Sequence, residues 1–167
     1  MELRFAPNGH LEIDDARLIF KNFSGVGTKY NREGARNFAV VIPTEEMADA
    51  LVADKNKFGI GWNVTVKDSP NAGDPPYMHL KVKIGRNAVV WLITGDKRRQ
   101  LKGDELGRLD RIRMANVDLD IRPYDDEGVS GPFRAAYLYA MEVTQDLDRF
   151  TARNADDFDD EDDYMEE

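Results

Sequence analysis

Apolar and polar residues alternate along most of this chain with the period of two that a half-buried strand imposes. The clearest run is residues 77–84 (YMHLKVKI): Met78, Leu80, Val82 and Ile84 form one face, and Tyr77, His79, Lys81 and Lys83 the other. Residues 111–122 and 133–144 keep the same rhythm on either side of PYDDEGVSG, and are expected to be the two arms of a hairpin. In the first arm Arg113, Ala115, Val117, Leu119 and Ile121 share a face; in the second Phe133, Ala135, Tyr137, Tyr139, Met141 and Val143 do. Residues 11–23 (LEIDDARLIFKNF) alternate after Asp14-Asp15, with Leu18 and Phe20 on one side and Arg17, Ile19, Lys21 and Phe23 on the other. Residues 36–42 (RNFAVVI) and 62–67 (WNVTVK) read as short strands rich in β-branched and aromatic residues. The nearly all-apolar run 88–93 (AVVWLI) follows a Gly85-Arg86-Asn87 turn and is expected to pair back on 77–84 as a central strand.

Helical spacing dominates one stretch. Thr44 is a good N-cap, Glu45 and Glu46 suit the positive end of the dipole, and Met47, Ala48, Leu51 and Val52 make an apolar stripe assigned to the core. The helix should run from Glu45 to about Asp54, with a further helical turn near residues 104–109. Several short strands with one sizeable helix predict a mainly β chain: an OB-fold-like antiparallel Greek-key barrel. A chain of 167 residues suits one domain. Residues 1–150 are expected to form it, with 151–167 as a flexible acidic tail. No internal repeat points to a solenoid or propeller.

Charge changes the picture at that tail. Residues 156–167 (DDFDDEDDYMEE) hold nine carboxylates and no Lys or Arg, which accounts for the whole net charge of −9. The body is therefore neutral. Like charges this dense repel one another and bury too little apolar surface to order themselves. The bland reading is a solvated end, but the stretch also carries Phe158 and Tyr164, which a merely solubilising segment does not need. Asp156, Asp157, Phe158, Asp159, Asp160, Glu161, Asp162, Asp163, Tyr164, Glu166 and Glu167 are thus candidates for docking on a basic, partly apolar partner or on the body itself.

The residues for common chemistries are missing. There is no cysteine, and His10 and His79 are the only histidines, so a zinc site is not expected. Ser24, Ser69 and Ser130 lie in glycine- or proline-containing loops without a paired histidine. The stretch Gly25-Val26-Gly27-Thr28-Lys29 lacks the phosphate-loop order and leads into a strand. No enzyme, cofactor or metal is expected. No apolar run approaches a membrane span, and the first residues carry no secretory pattern, so a cytoplasmic location is expected, in the host cell if the source is viral.

Two windows escape the acidity. Residues 17–36 hold five cations against Glu33, and residues 81–102 hold seven against Asp96. Rings lie among them: Phe23, Tyr30, Tyr77 and Trp91. Cations that follow a phosphate backbone, with rings on which bases stack, are what sequence-tolerant binding of single strands requires. The candidate DNA-binding set is Lys21, Phe23, Lys29, Tyr30, Arg32, Arg36, Tyr77, His79, Lys81, Lys83, Arg86, Lys97, Arg98, Arg99 and Lys102. Trp91, Phe20 and Phe38 are assigned to the core. Lys81 and Lys83 also fit an ordinary solvated strand face, and residues 97–99 an ordinary polar turn.

The segment FKNFSGVGTKYNREGARNF from Phe20 to Phe38, with IRPYDDEG and AYLYAMEVTQDLDRF downstream, resembles bacteriophage single-stranded DNA-binding proteins over most of residues 11–150. The resemblance implies a protein that coats single strands in DNA replication, recombination or repair. It also implies an acidic tail that recruits polymerase, helicase or primase and competes with DNA, and it leaves room for a homodimer. This chain closes on Met165-Glu166-Glu167 and not on an aromatic residue. The rival readings are an acidic nucleic-acid mimic that binds a basic host protein, and a small metal-dependent nucleic-acid enzyme.

Overall fold

The computed structural model describes residues 1–74 and 77–147; the acidic stretch 156–167 lies outside them. Ten strands form one sheet: β1 (Glu2–Phe5), β2 (Leu11–Asp14), β3 (Leu18–Asn22), β4 (Arg36–Ile42), β5 (Val64–Lys67), β6 (Tyr77–Ile84), β7 (Val89–Thr94), β8 (Lys97–Leu101), β9 (Met114–Gly128) and β10 (Gly131–Gln145). One α-helix, α1 (Glu45–Ala53), follows β4, and a 3-10 helix, Gly103–Asp110, precedes β9. The Thr44 side chain accepts from the Met47 amide at 3.1 Å, the N-cap its sequence announces.

The pairing order β1-β2-β9-β10-β6-β4-β3 puts β2, next to the end strand β1, far along the path from β3 at its other end. Only three residues, Asp15 to Arg17, separate them in the chain, so the sheet must curl on itself. Asp15 turns the chain with φ +53°, the Ala16 amide donates to Val117 of β9, and the Arg17 carbonyl accepts from Val41 of β4. The result is a barrel of OB type. Its interior holds Leu11, Ile13, Phe38, Val40, Leu80, Val82, Val117, Leu119, Ile121 and Leu138, and the 3-10 helix plugs one end with Leu106 and Leu109. Asp110 fixes that plug by accepting from the Phe23 and Ser24 amides, both at 2.9 Å.

Several expectations need correction. β7 does not fold back on β6. Both run parallel to β10, β6 beside Tyr137 and β7 beside residues 140–144, so they are successive segments travelling the same way. The residues expected as a polar turn, Lys97 to Gln100, belong to β8, and the turn shrinks to Gly95-Asp96. The faces of β10 change over at Tyr139. Leu138 lies opposite Ile121 and Ala140 opposite Asp120, so Tyr139 is an extra residue, a β-bulge. Before it Ala136 and Leu138 are buried; after it Met141 and Val143 are.

A second bulge lies in β3. Ile19 pairs with Ala39 and Asn22 with Asn37, three steps against two. The extra residue inverts the alternation. Phe23, expected on the cationic side as a stacking platform, is fully buried and stacks on Phe38 with centroids 5.4 Å apart. Phe20, assigned to the core, is 57% exposed.

At the other end of the barrel, the link after α1 is tied to the β9–β10 hairpin. Gly61 passes so close to the helix terminus that a Cβ there would lie 2.1 Å from the Val52 carbonyl oxygen. Trp62, next in sequence, is buried and donates its indole N–H to Asp54 at 2.9 Å. Arg134 of β10 covers that indole, its guanidinium carbon 4.9 Å from the ring centre.

Candidate nucleic-acid interface

Residues opposite one another in neighbouring strands point to the same side of a sheet. Register therefore identifies one outer surface. It carries Lys67 opposite Tyr77, then Thr65, His79 and Val41, then Lys81 and Ala39, then Lys83 and Asn37. Lys83 in turn lies beside Tyr137, which is opposite Arg122. From His79 to Lys83 is four residues along one strand, about 13 Å at the usual rise.

Two groups of rings stand on this surface. In the first, His79 meets Phe20 edge-on at 5.5 Å and lies alongside Tyr77 at 6.2 Å, with the Lys67 ammonium 5.4 Å from the Phe20 ring centre. In the second, Tyr124 touches Tyr137 at 5.9 Å and Phe133 at 6.1 Å. Arg122 and Lys83 lie over Tyr137, at 4.9 Å and 5.9 Å. Cations next to rings suit a strand whose bases stack while its phosphates pair with charge.

A depression of about 350 Å³ opens by the first group, lined by Phe20, Tyr30, Asn37, Lys67, His79 and Lys81 among others. Tyr30 comes from the long loop between β3 and β4 and is exposed; Lys29 lies 5.6 Å from its ring centre. His79 is 7% exposed, and its Nδ1 is buried without a hydrogen-bond partner among the described residues. Burial, and secondarily the charge of Lys67, holds the imidazole below its ordinary pKa. It is thus the neutral form that sits among the lysines at neutral pH.

The structure brings Tyr30, Tyr77, His79, Lys81 and Lys83 to one face. Arg86 lines a neighbouring hollow with Arg122 and Tyr139, which extends that face past the second ring group. Lys21, Lys29 and Arg32 are exposed in β3 and the loop that follows. Other candidates are drawn elsewhere. Phe23 is in the core. Arg36 pairs with Asp104 at 3.0 Å, toward the 3-10 helix, and Lys102 directly precedes that helix, its backbone amide donating to Glu105 at 3.2 Å. Arg98 has its guanidinium carbon 3.8 Å from the Trp91 ring centre and reaches Glu142 at 3.5 Å, while Arg99 pairs with Glu105 at 2.6 Å. Lys97 lies opposite Thr94 beside the β7–β8 turn. Trp91, assigned to the core, is half-buried on the outer side under Arg98.

Beyond the Tyr139 bulge the same outer surface turns acidic, with Glu12, Asp118, Asp120 and Glu142 around Arg4 and Arg98. His10 marks the border: its Nδ1 is 2.7 Å from Asp120 and its ring meets Tyr139 edge-on at 4.9 Å. The cationic, ring-bearing character is thus confined to one half of this surface. Charge windows along the sequence missed Phe20, Lys67, Arg122, Tyr124, Phe133 and Tyr137, since four of the six are rings outside those windows or hidden by a bulge. The signal for Arg122 and Tyr124 was their alternation with buried Ile121. The proposed tail residues, Asp156 to Glu167, lie outside the described residues.

A family model described as a putative phage ssDNA-binding domain matches residues 2–166. Three solved structures of the single-stranded DNA-binding protein from bacteriophage Enc34 share the fold. The one in complex with ssDNA superposes with a TM-score of 0.56 at 15% identity, over 87% of this chain and 92% of that one. A C-terminal truncation gives 0.53 at 14% identity, and the protein described without either qualification gives 0.52 at 16%; each match covers 87% of this chain and 91% of the other. No curated protein matches.

Proposed function

We infer that this chain, which belongs to the family of putative phage ssDNA-binding domains, binds single-stranded DNA without sequence preference across the outer face of β3, β4, β6 and the β9–β10 hairpin. The observation that carries this reading is the pair of ring groups bridged by Lys83 and Tyr137, with Lys67, Lys81 and Arg122 between and beside them. The Enc34 protein, a structural relative, was solved with ssDNA. Rings accept any base face and ammonium groups accept any phosphate, so stacking and charge together bind a strand whatever its sequence. Duplex DNA, whose bases are already stacked and paired, offers those rings nothing.

The nine carboxylates of residues 156–167 complete the proposal. As a polyanion they compete for the cationic face when DNA is absent. When DNA displaces them they are free to recruit polymerase, helicase or primase during replication, recombination or repair in the host cytoplasm. Fluorescence titration against single-stranded DNA, duplex and RNA over a salt series tests the reading. Single strands should bind far more tightly than duplex, with affinity falling steeply with salt. Deleting residues 156–167 should tighten binding most at low salt. Equal affinity for duplex and single strand would remove the proposal, and unchanged affinity on deletion would remove the role given to the tail.

A further inference from the structure

We propose that the depression beside Phe20 holds one pyrimidine base with its Watson–Crick edge turned toward Asn37, an inference that rests on the strand-binding reading above. The hydrogen-bond network fixes the donor and acceptor roles of that asparagine. The Asn31 side-chain nitrogen lies within hydrogen-bond distance of three backbone carbonyls, those of Val26, Arg32 and Ala35, at 2.9, 3.2 and 2.9 Å, one of its two N–H groups being shared between two of them. Its oxygen must therefore be the atom that accepts from Asn37, whose Nδ2 lies 2.8 Å away. That leaves Asn37 Oδ1 as an acceptor with no partner among the described residues, on the wall of the depression. Lys67 and Lys81 on the same wall can only donate.

One fixed acceptor among donors has a definite complement. The Watson–Crick edge of thymine or cytosine offers one N–H-bearing group and two acceptors, whereas guanine offers two donor groups and adenine a single acceptor. Two further observations mark the depression as incomplete when empty. His79, which lines it, has its Nδ1 buried without a hydrogen-bond partner among the described residues, and such orphans are rare in native structures. Phe20 is also held with φ +52°, a conformation unfavourable for a side chain with a Cβ, and this places its ring at the mouth of the depression. A base that slides against that ring reaches Asn37 with the edge that pairing would otherwise occupy. Strand selectivity then has a hydrogen-bonding component in addition to stacking.

The test compares a short oligothymidylate with the same oligomer carrying N3-methylthymine, which keeps both carbonyls and the ring but loses the imide N–H. The full-length protein should bind the methylated strand about tenfold more weakly, the usual effect of leaving one acceptor unanswered. Asn37→Ala should bind both strands alike, and Asn37→Val, which suits a strand, serves if the alanine variant does not fold. Equal binding by the unaltered protein overturns the proposal, as does a preference that survives in the variants. Failure to bind either oligomer would instead overturn the strand-binding reading itself.

Discussion

Phe20 and Phe23 sit three residues apart on opposite sides of the barrel wall, one ring at the mouth of a surface depression and the other fully buried against Phe38. Their substitutions should separate function from folding. Phe20→Ala should weaken binding of single strands by about 1–3 kcal/mol, the usual worth of a stacked base, with little change in the urea midpoint. Phe23→Ala should lower stability by about 3–5 kcal/mol through the cavity it leaves. Parallel titration and urea melts check both, and a Phe20 variant that binds normally sinks the assignment of the interface.

Lys83 and Arg122 flank Tyr137 where the two ring groups join. Removing either cation should reduce affinity and also flatten its salt dependence. For each lost phosphate contact, the slope of log K against log salt should shrink by about 0.7. Arg98→Ala, on the acidic side of Tyr139, should leave that slope unchanged.

Arg134 grips Asp125 through Nε at 2.8 Å and Nη2 at 3.2 Å, and its Nη1 donates to the Asp54 carbonyl at 2.8 Å. The guanidinium is 7% exposed, so it is a buried clamp between the hairpin and the link after α1. Arg134→Met strands the Asp125 carboxylate and should cost about 3–5 kcal/mol in a denaturant melt.

The Arg134 hydrogen bond, chiefly, holds the Asp125 carboxyl below its ordinary value of 3.8. The unfolded chain takes up this proton first as pH falls. Stability from the pair is therefore complete above about pH 4 and is lost as pH drops through the folded value. In Arg134→Met the acid-induced loss below about pH 4 should be shallower than in the unaltered protein.

His79 titrates in a different window. Its folded pKa lies below 6.5, so between the two values the unfolded chain binds the proton and the folded chain does not. Melting temperature should fall as pH drops below about 6.5, and His79→Gln should remove that part of the decline. A His79→Gln profile parallel to that of the unaltered protein would contradict the buried, neutral imidazole.

Much of this protein follows from local pattern. The pleat fixes a period of two, so residues 77–84 declare their two faces, and Thr44 with its acidic first turn declares α1. Tyr77, His79, Lys81 and Lys83 were legible as one strand face because no bulge interrupts β6 between them. The family resemblance likewise required only the order of residues.

Tertiary pairing decided the rest. A bulge exists because the partner strand has one residue fewer, and no residue of β3 or β10 states that count by itself. Hence Phe20 and Phe23 exchanged their expected roles, and the faces of β10 changed at Tyr139. The run Lys97-Arg98-Arg99 read as free charge, yet Glu105, Glu142 and the Trp91 ring lie across from Arg98 and Arg99 once β8 is folded. Local periodicity reports what a residue's own backbone imposes; which charge or ring it meets depends on segments brought together from elsewhere in the chain, and only the closed barrel supplies them.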